Sequence, residues 1–299
     1  MRFTKKDILD IESLEPNEIS MILDTAYGMK EISERAVKKV PTLRGKTIVL
    51  FFQEPSTRTK LSFDTAAKRL SADSLSISKS SSSIVKGETL IDTAKNLEAM
   101  NPDVIVLRHP SSGAAHLIAK RVRASVINAG DGIHAHPSQA LLDMMTVREK
   151  KGKIKGLKIS IIGDIAHSRV ARSDITGFSK MGAHVFICAP GTMIPMGIEN
   201  LGCTISPNIE TCIEGADIIM MLRIQKERQG NILFPTEREY AMLYGLNKAR
   251  LNLAKKDVIV MHPGPMNRGV EISSEVADSE YSLILEQVTN GVALRMALF

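Results

Sequence analysis

Four consecutive residues, Ser56, Thr57, Arg58 and Thr59, bring together three hydroxyl groups and one guanidinium. They follow a short β-branched and aromatic run, which predicts a buried strand, and precede apolar residues at helical spacing. Ser56 is suited to cap that helix. The first amides of a helix lack acceptors within it and lie at the positive end of its dipole. The segment is therefore typical of a phosphate-binding turn, although taken alone it is better explained as a capped helix with solvated polar residues.

Further polar residues follow the other predicted strands. Arg108, Asp164, Arg223 and His262 each come at or just after the end of an apolar run, and His136 opens a helix after another. In parallel α/β sheets, ligands bind beyond the carboxyl ends of the strands. Each residue also has a simpler explanation as a polar strand end or a surface loop. The joint pattern favours a binding site assembled along these edges.

The elements that must position these residues are strands alternating with helices, which predict parallel α/β sheets. The chain has 299 residues, and two such series of roughly 150 residues are separated by a break at 152–156. We therefore predict two α/β domains. The first is expected to begin with a helix over 16–39, where Ile19, Ile22, Leu23, Ala26 and Met29 form one apolar stripe.

Composition and charge exclude several classes of protein. The net charge of +6 is mild and spread along the chain, and no basic run indicates nucleic acid. No apolar run reaches the ~20 residues of a membrane-spanning helix, so we predict no membrane association. The first residues have no signal-peptide core, and we expect a cytoplasmic location. Cys188, Cys203 and Cys212 form no C-x-x-C pair and predict neither a disulfide framework nor a zinc site.

Two patterns could indicate a cofactor site, but both have simpler explanations. Asp131, His134 and His136 have the residue types of metal ligands, but an H-x-H pair is common, and we predict no catalytic metal. The turn at Gly163 and Asp164 could bind a dinucleotide, but the G-x-G-x-x-G pattern is missing. We therefore predict no cofactor.

The motifs resemble those of aspartate carbamoyltransferase catalytic chains. The matching segments come in the family's order and cover nearly the whole chain: 51–70, 86–89, 92–93, 128–132, 136–143, 163–164, 167–170, 222–228 and 262–268. The S-T-R-T and H-P-x-Q motifs are shared with ornithine carbamoyltransferases. The later segments are more selective, because this chain has H-P-G-P at 262–265 where the ornithine enzymes have H-C-L-P.

The resemblance implies two parallel-sheet α/β domains, with the active site in the cleft between them and at the subunit interface. The carbamoyl-phosphate-binding domain would span 1–135, with a helix at about 282–299 packing back on it. Residues 136–150 would form a linker helix and 151–281 the aspartate-binding domain. The catalytic chains would form a homotrimer, and the family admits a regulatory chain or a dihydroorotase as a further partner.

The resemblance also implies which residues form the site. The carbamoyl phosphate site would comprise Ser56, Thr57, Arg58, Thr59, Arg108, His136 and Gln139, with the backbone carbonyls of Gly264 and Pro265 on the carbamoyl amide. The aspartate site would comprise Lys86, Arg169, Arg223 and Gln225. The neighbouring subunit would donate Lys86 and a loop serine, which we assign to Ser82, with Ser83 as the alternative. Catalysis would fall to Arg58, Thr59, Arg108 and His136, the last three polarising the carbamoyl oxygen.

The implied reaction transfers the carbamoyl group from carbamoyl phosphate to the amino group of L-aspartate. The products would be N-carbamoyl-L-aspartate and phosphate, in an early step of de novo pyrimidine (UMP) biosynthesis. The chain shows no nucleophilic Ser or Cys with a base partner, so we expect direct attack without a covalent enzyme intermediate. Two alternatives stay open: a carbamoyltransferase for ornithine or a related amine, and a non-catalytic carbamoyl-phosphate-binding subunit.

Overall fold

The chain divides into two compact units, each with its own parallel sheet. A computed structural model describes residues 3–78, 87–225 and 234–299. The first unit comprises Met1–Met145 and Thr289–Phe299, and the second comprises Thr146–Val288. Among the described residues no helix combines the length and the apolar character needed to cross a membrane.

The first unit contains a four-stranded sheet with strand order β2-β1-β3-β4, all parallel. Its elements are α1 (Pro16–Glu34), β1 (Thr47–Phe52), α2 (Thr57–Arg69), β2 (Asp73–Ser78), α3 (Leu90–Ala99), β3 (Val104–His109), α4 (Ala114–Ala119), β4 (Ser125–Asp131) and α5 (Pro137–Lys151), whose last turns lie in the second unit.

Strand β1 is buried on both faces, which explains its continuous apolar run. Val49 and Phe51 point to one face, where they pack with residues of β3, α3 and α4. Ile48 and Leu50 point to the other face and pack with Phe63 of α2. Because both faces are covered, only the ends of the strands are left to carry polar chemistry.

The second unit contains a five-stranded parallel sheet with strand order β7-β6-β5-β8-β9. Its elements are β5 (Lys158–Ile162), α6 (Arg169–Lys180), β6 (His184–Cys188), β7 (Cys203–Ile205), α7 (Ile209–Ile213), β8 (Ile218–Met221), α8 (Glu237–Tyr244), α9 (Lys248–Leu251), β9 (Ile259–Met261) and α10 (Ser274–Ala277). Helix α11 (Ile284–Leu298) begins in this unit and continues into the first.

The predicted fold class, with two parallel α/β sheets, is confirmed. Three local features differ from the sequence-based expectation. The helix expected over 16–39 ends at Glu34, because the apolar stripe stops there and Val37 is 73% exposed. Strand β7 was not predicted, since three residues give too short a pattern. Ser56 occupies the N-cap of α2, but its side chain makes no capping hydrogen bond.

The turn after β5 requires a glycine. Gly163 has φ of +135°, and a Cβ added there would lie 2.5 Å from the carbonyl oxygen of Leu222. Leu222 follows the neighbouring strand β8, and its amide donates to the carbonyl of Ile162 at 2.8 Å. The close backbone approach of these two strand ends therefore depends on the missing side chain.

We predict that Gly163→Ala lowers the urea midpoint of the second unit, by the equivalent of about 1–3 kcal/mol, through steric overlap and backbone strain. Urea unfolding followed by far-UV circular dichroism measures the change. Gly191→Ala is the matched control, because a Cβ there meets nothing within 4 Å. Equal midpoints for the two variants would contradict the close approach.

Candidate functional site

The strand order of the first unit brings the carboxyl ends of β1, β3 and β4 side by side. The turn after β1 leads into α2, where Thr59 is buried and the side chains of Thr57 and Arg58 are exposed. The backbone carbonyl of Ser56 accepts from the amide of Lys60 at 3.1 Å, while its hydroxyl is not used for capping. The hydroxyl and the first amides of α2 can therefore serve an anion.

Arg108 at the end of β3 makes an ion pair and a hydrogen bond to a backbone carbonyl. Its Nη2 donates to Oε1 of Glu54 at 2.7 Å, and its Nη1 donates to the carbonyl of Ala129 at 3.1 Å. Arg108 is 9% exposed, so the ion pair is largely shielded from water. A phosphate or carbonyl oxygen that binds this guanidinium would compete with Glu54 for its charge.

The turn after β4 is organised around the buried carboxylate of Asp131. Its Oδ2 accepts from the amide of Gly113 at 2.7 Å, and its Oδ1 accepts from the amide of Ala135 at 3.1 Å. Asn128 donates its side-chain amide to Oδ1 at 2.8 Å. These bonds fix the backbone just before His136, which is 4% exposed.

The sequence suggested Asp131, His134 and His136 as metal-ligand types, but the structure groups Asp131 and His134 with His116 of α4. Their potential ligand atoms lie within 4.8 Å of one another. The oxygens of Asp131 already accept from backbone and side-chain amides, and His116 Nε2 lies 2.8 Å from Oδ2 of Asp10. This cluster is accounted for as a hydrogen-bonded network that fixes the turn.

Gln139 lies on the first turn of α5 and is 9% exposed. Its side-chain nitrogen donates to both oxygens of Asp143, at 3.1 and 3.2 Å. The two residues are four apart on one helix, the spacing at which side chains meet. His136, immediately before this helix, has its Nδ1 3.4 Å from the hydroxyl of Ser138.

In the second unit, the strand order places the carboxyl ends of β5, β8 and β9 next to one another. Asp164 after β5 is fully buried, and its Oδ2 accepts from the amide of Gln225, beyond β8, at 3.1 Å. Its Oδ1 lies 2.8 Å from Nδ1 of His167. Arg223 donates through Nη2 to Oε1 of Gln225 at 3.2 Å. Asp164 thus ties the segment that carries Arg223 and Gln225 to the β5 turn.

Arg169 is the first residue of α6 and is 3% exposed. Ser168 caps the helix by accepting from the amide of Ala171 at 3.1 Å. Two cationic side chains of the second unit, Arg169 and Arg223, therefore stand at the carboxyl ends of adjacent strands. This arrangement suits a ligand with two carboxylates, because a guanidinium can donate two hydrogen bonds to each carboxylate.

The segment after β9 is built on a buried pair of side chains. His262 and Glu271 are 1% and 0% exposed, with Nε2 and Oε1 3.3 Å apart. Nδ1 of His262 accepts from the amide of Gly264 at 2.8 Å, and Glu271 accepts from the amide of Asn267. The pair therefore sets the backbone path through Gly264 and Pro265, whose carbonyls were predicted to face the ligand.

Two of the predicted site residues, Lys86 and Ser82, lie outside the described residues, as does the alternative Ser83. The same holds for residues 226–228 of the selective motif at 222–228.

Comparisons with known proteins decide the family. Residues 6–149 match the carbamoyl-phosphate-binding domain of aspartate/ornithine carbamoyltransferases, and residues 155–299 match the aspartate/ornithine-binding domain. The chain belongs to the aspartate/ornithine carbamoyltransferase family. The predicted resemblance to aspartate carbamoyltransferase catalytic chains and the prediction of a carbamoyl-transferring enzyme are confirmed.

The curated relatives are similar along the whole chain. The aspartate carbamoyltransferase catalytic subunit of Desulforapulum autotrophicum is 78% identical over 299 residues, covering 100% of this chain and 96% of the relative. The corresponding subunit of Desulfosudis oleivorans is 66% identical with the same coverage.

Among solved structures, aspartate transcarbamoylase from Trypanosoma cruzi in complex with carbamoyl phosphate and aspartate has a TM-score of 0.88. It is 29% identical, with 98% of this chain and 95% of that chain covered. Ornithine carbamoyltransferase from Pyrococcus furiosus has a TM-score of 0.86 and 30% identity, with 98% and 95% covered. The fold alone therefore does not separate the aspartate and ornithine branches of the carbamoyltransferase family.

Several residues of this carbamoyltransferase site were not singled out from sequence. Glu54, Asp143 and Glu271 each hold a predicted site residue or segment through hydrogen bonds. Of these contacts, only the one between Gln139 and Asp143 could be expected from the sequence, because the two residues are four apart on one predicted helix. Glu54 and Glu271 reach partners that become neighbours only in the folded sheets.

The Asp131–His134 pair predicts a pH-dependent contribution to stability. The hydrogen bond that His134 donates to Asp131 raises the pKa of His134. Burial lowers this pKa, but the negative charges of Asp131, Asp10 and Glu12 raise it further. Burial raises the pKa of Asp131, but hydrogen bonds from His134, Asn128 and Gly113 bring it below its ordinary value. The contribution of His134 to the free energy of unfolding is fully present below about pH 6.5, and that of Asp131 is fully present above about pH 4.

We therefore expect His134→Asn to lower the melting temperature most between about pH 4 and 6.5, and less as pH rises through the raised pKa of His134. Differential scanning fluorimetry from about pH 4.5 to about pH 9 measures the difference in melting temperature from wild type. His184→Asn is the control, because His184 is exposed. If the melting temperatures of His134→Asn and the wild type differed by the same amount at every pH, the result would contradict the pairing of His134 with Asp131.

Proposed function

We propose that this protein transfers the carbamoyl group of carbamoyl phosphate to the amino group of L-aspartate, giving N-carbamoyl-L-aspartate and phosphate. The observation that carries the proposal is the 78% identity, over the whole chain, to a catalytic subunit of aspartate carbamoyltransferase. The reaction would serve an early step of de novo pyrimidine biosynthesis, in the cytoplasm.

The charges at the edge of the second unit favour aspartate over ornithine. Arg169 and Arg223 offer guanidinium groups to carboxylates. The described carboxylates at this edge, Asp164 and Glu271, are both fully buried and accept hydrogen bonds from backbone amides. A second ammonium group on ornithine would need an acidic partner, whereas the second carboxylate of aspartate needs a cation.

The first unit would bind carbamoyl phosphate. The first amides of α2, with Ser56 and Thr57, suit the phosphate, and Arg58 adds a guanidinium. Thr59, Arg108 and His136 would donate to the carbamoyl oxygen. The carbonyls of Gly264 and Pro265 would accept from the carbamoyl amide, and Gln139 would lie at the same, carbamoyl end of the substrate.

The chemistry would be direct. The neutral amine of aspartate attacks the carbamoyl carbon, forming the C–N bond and a tetrahedral oxyanion. The oxyanion collapses, the C–O bond to phosphorus-bound oxygen breaks, and phosphate leaves with the electron pair and takes up the amine proton. The protein contributes by orienting both substrates and by stabilising the oxyanion with the donors of Thr59, Arg108 and His136.

We also propose that the catalytic chains form a homotrimer in which Ser82 and Lys86 complete the site of a neighbouring subunit. Association with a regulatory chain or a dihydroorotase would add to this trimer without supplying residues to the reaction described above.

Product identification tests the activity. With carbamoyl phosphate and L-aspartate, we expect N-carbamoyl-L-aspartate and phosphate in equal amounts, measured by mass spectrometry and a phosphate assay. L-Ornithine in place of aspartate should give no product. Citrulline formation would place the enzyme in the ornithine branch. Binding of carbamoyl phosphate without turnover of any amine would instead indicate a non-catalytic subunit.

A single isosteric change tests the oxyanion role of Thr59. Thr59→Val removes the hydroxyl and keeps the side-chain shape, so we expect kcat to fall by about 10²–10³ while the fold is retained. Steady-state kinetics and circular dichroism measure the two effects. Thr25→Val in α1 is the control, because its hydroxyl donates only to the carbonyl of Met21. Unchanged kcat in Thr59→Val would remove this residue from the mechanism.

A further inference from the structure

The side-chain amide of Gln139 has two chemically different ends, and the protein fixes which end faces the ligand. The nitrogen of Gln139 lies 3.1 and 3.2 Å from the two oxygens of Asp143. An ionised carboxylate only accepts hydrogen bonds, so the NH₂ end of the amide must face Asp143. The carbonyl oxygen is then the end available to a ligand, and it can accept only from an N–H or O–H donor.

Asp143 has a buried counter-charge on α11. Asp143 is 0% exposed and Arg295 is 4% exposed, and the attraction of Asp143 opposes the effect of burial on the guanidinium. Burial lowers the pKa of Arg295 to about 10, so the side chain stays protonated at neutral pH. A protonated Asp143 would leave this buried cation without a counter-charge, which is costly. The ionised carboxylate is therefore the favoured partner of Gln139.

Arg295 is itself held in one position. Its Nη1 donates to the hydroxyl of Ser62 at 2.8 Å, and its guanidinium lies over the ring of Phe63 at 5.0 Å from the centroid. Gly291, one turn earlier on α11, leaves room for it: a Cβ there would lie 2.6 Å from Nη1 of Arg295. The cation is therefore placed by contacts from both α2 and α11.

We propose that Asp143, with Arg295 behind it, is a specificity-determining pair that selects carbamoyl phosphate over acyl phosphates by orienting the Gln139 amide. Carbamoyl phosphate and acetyl phosphate have nearly the same shape and charge. They differ in an NH₂ group against a CH₃ group next to the carbonyl. With its oxygen toward the ligand, Gln139 accepts from the NH₂ group and gains nothing from the CH₃ group.

The opposite orientation would have the opposite effect. If the NH₂ end of Gln139 faced the ligand, it would meet the NH₂ end of carbamoyl phosphate, donor against donor, and one N–H would lose its partner. Asp143 and Arg295 are thus positioning residues that act through Gln139. This inference rests on the proposed function, in which Gln139 lies at the carbamoyl end of the substrate.

The test is the ratio of affinities for two ligands in one variant. Asp143→Asn keeps the side-chain shape but can accept or donate, so it no longer dictates the orientation of Gln139. We expect the Kd for carbamoyl phosphate, measured by calorimetry on the full-length protein, to rise roughly ten- to hundred-fold. The Kd for acetyl phosphate should change by less than about three-fold, because it makes no such hydrogen bond.

The affinity ratio and two control variants separate an effect on the orientation of Gln139 from a general structural effect. If Asp143 had only a structural role, Asp143→Asn would weaken the binding of both ligands by the same factor. The ratio of their Kd values would then stay unchanged, which would overturn the proposal. In a Gln139→Met background, Asp143→Asn should not change the ratio further, since the residue through which it acts is gone. Asp64→Asn, which removes an ion pair with Lys68 in the same unit, should leave the ratio at the wild-type value.

A second pair of variants keeps the proposal testable if Asp143→Asn does not fold. Arg295→Lys retains the positive charge and should retain most of the discrimination, whereas Arg295→Met removes the counter-charge and should lower it. An equal ratio in the two variants would contradict the role of Arg295. Failure of the wild-type protein to bind or use carbamoyl phosphate would instead overturn the proposed function, so the two failures are distinguishable.

Discussion

The structure depends on one constraint: parallel strands that are buried on both faces can present polar groups only at their ends. In β1 every residue after the first is buried, and its side chains alternate between two apolar layers. The described site residues therefore occur in the turns and helix starts that follow the strands. The sheet order decides which of these turns are neighbours, and so which side chains can act on one ligand.

The two units use the same device to make such turns rigid. Asp131 at the end of β4 and Asp164 after β5 are fully buried carboxylates whose oxygens accept from backbone amides of nearby segments. Burying a carboxylate raises the free energy of the folded state unless the carboxylate is well hydrogen-bonded. Here the hydrogen bonds from backbone amides offset that penalty, and they also fix the backbone segments that donate them. The residues held in this way, His136 in one unit and Gln225 in the other, owe their positions to acidic side chains that need not touch a substrate themselves.

Much of this arrangement was predictable because its signals are local. A short apolar run predicts a strand, and a polar residue directly after it predicts a polar side chain at the strand end, as for Arg108 and Arg223. A serine before an amphipathic pattern predicts a helix start, and Ser168 does cap α6. Strand β7 was missed because three residues cannot establish a period.

The supporting contacts were harder to predict because their partners are distant in sequence. Glu54 meets Arg108 through the pairing of β1 with β3, and Arg295 reaches Asp143 and Ser62 from the other end of the chain. Nothing in the local pattern around Arg295 distinguishes it from an exposed helical arginine. Only the packed structure shows that it is buried and that it interacts electrostatically with a buried carboxylate.

The division of α11 between the two units has a consequence for biosynthesis. Thr289–Phe299 belongs to the first unit but follows the whole second unit in chain order. A ribosome therefore delivers this segment only after the second unit has been translated. Until then a nascent first unit carries Asp143 without the guanidinium that balances it, and its α2 surface lacks the cover of Leu298 and Phe299. Completion of the first unit is thus coupled to synthesis of the second, because the first unit cannot be finished before the second has been translated.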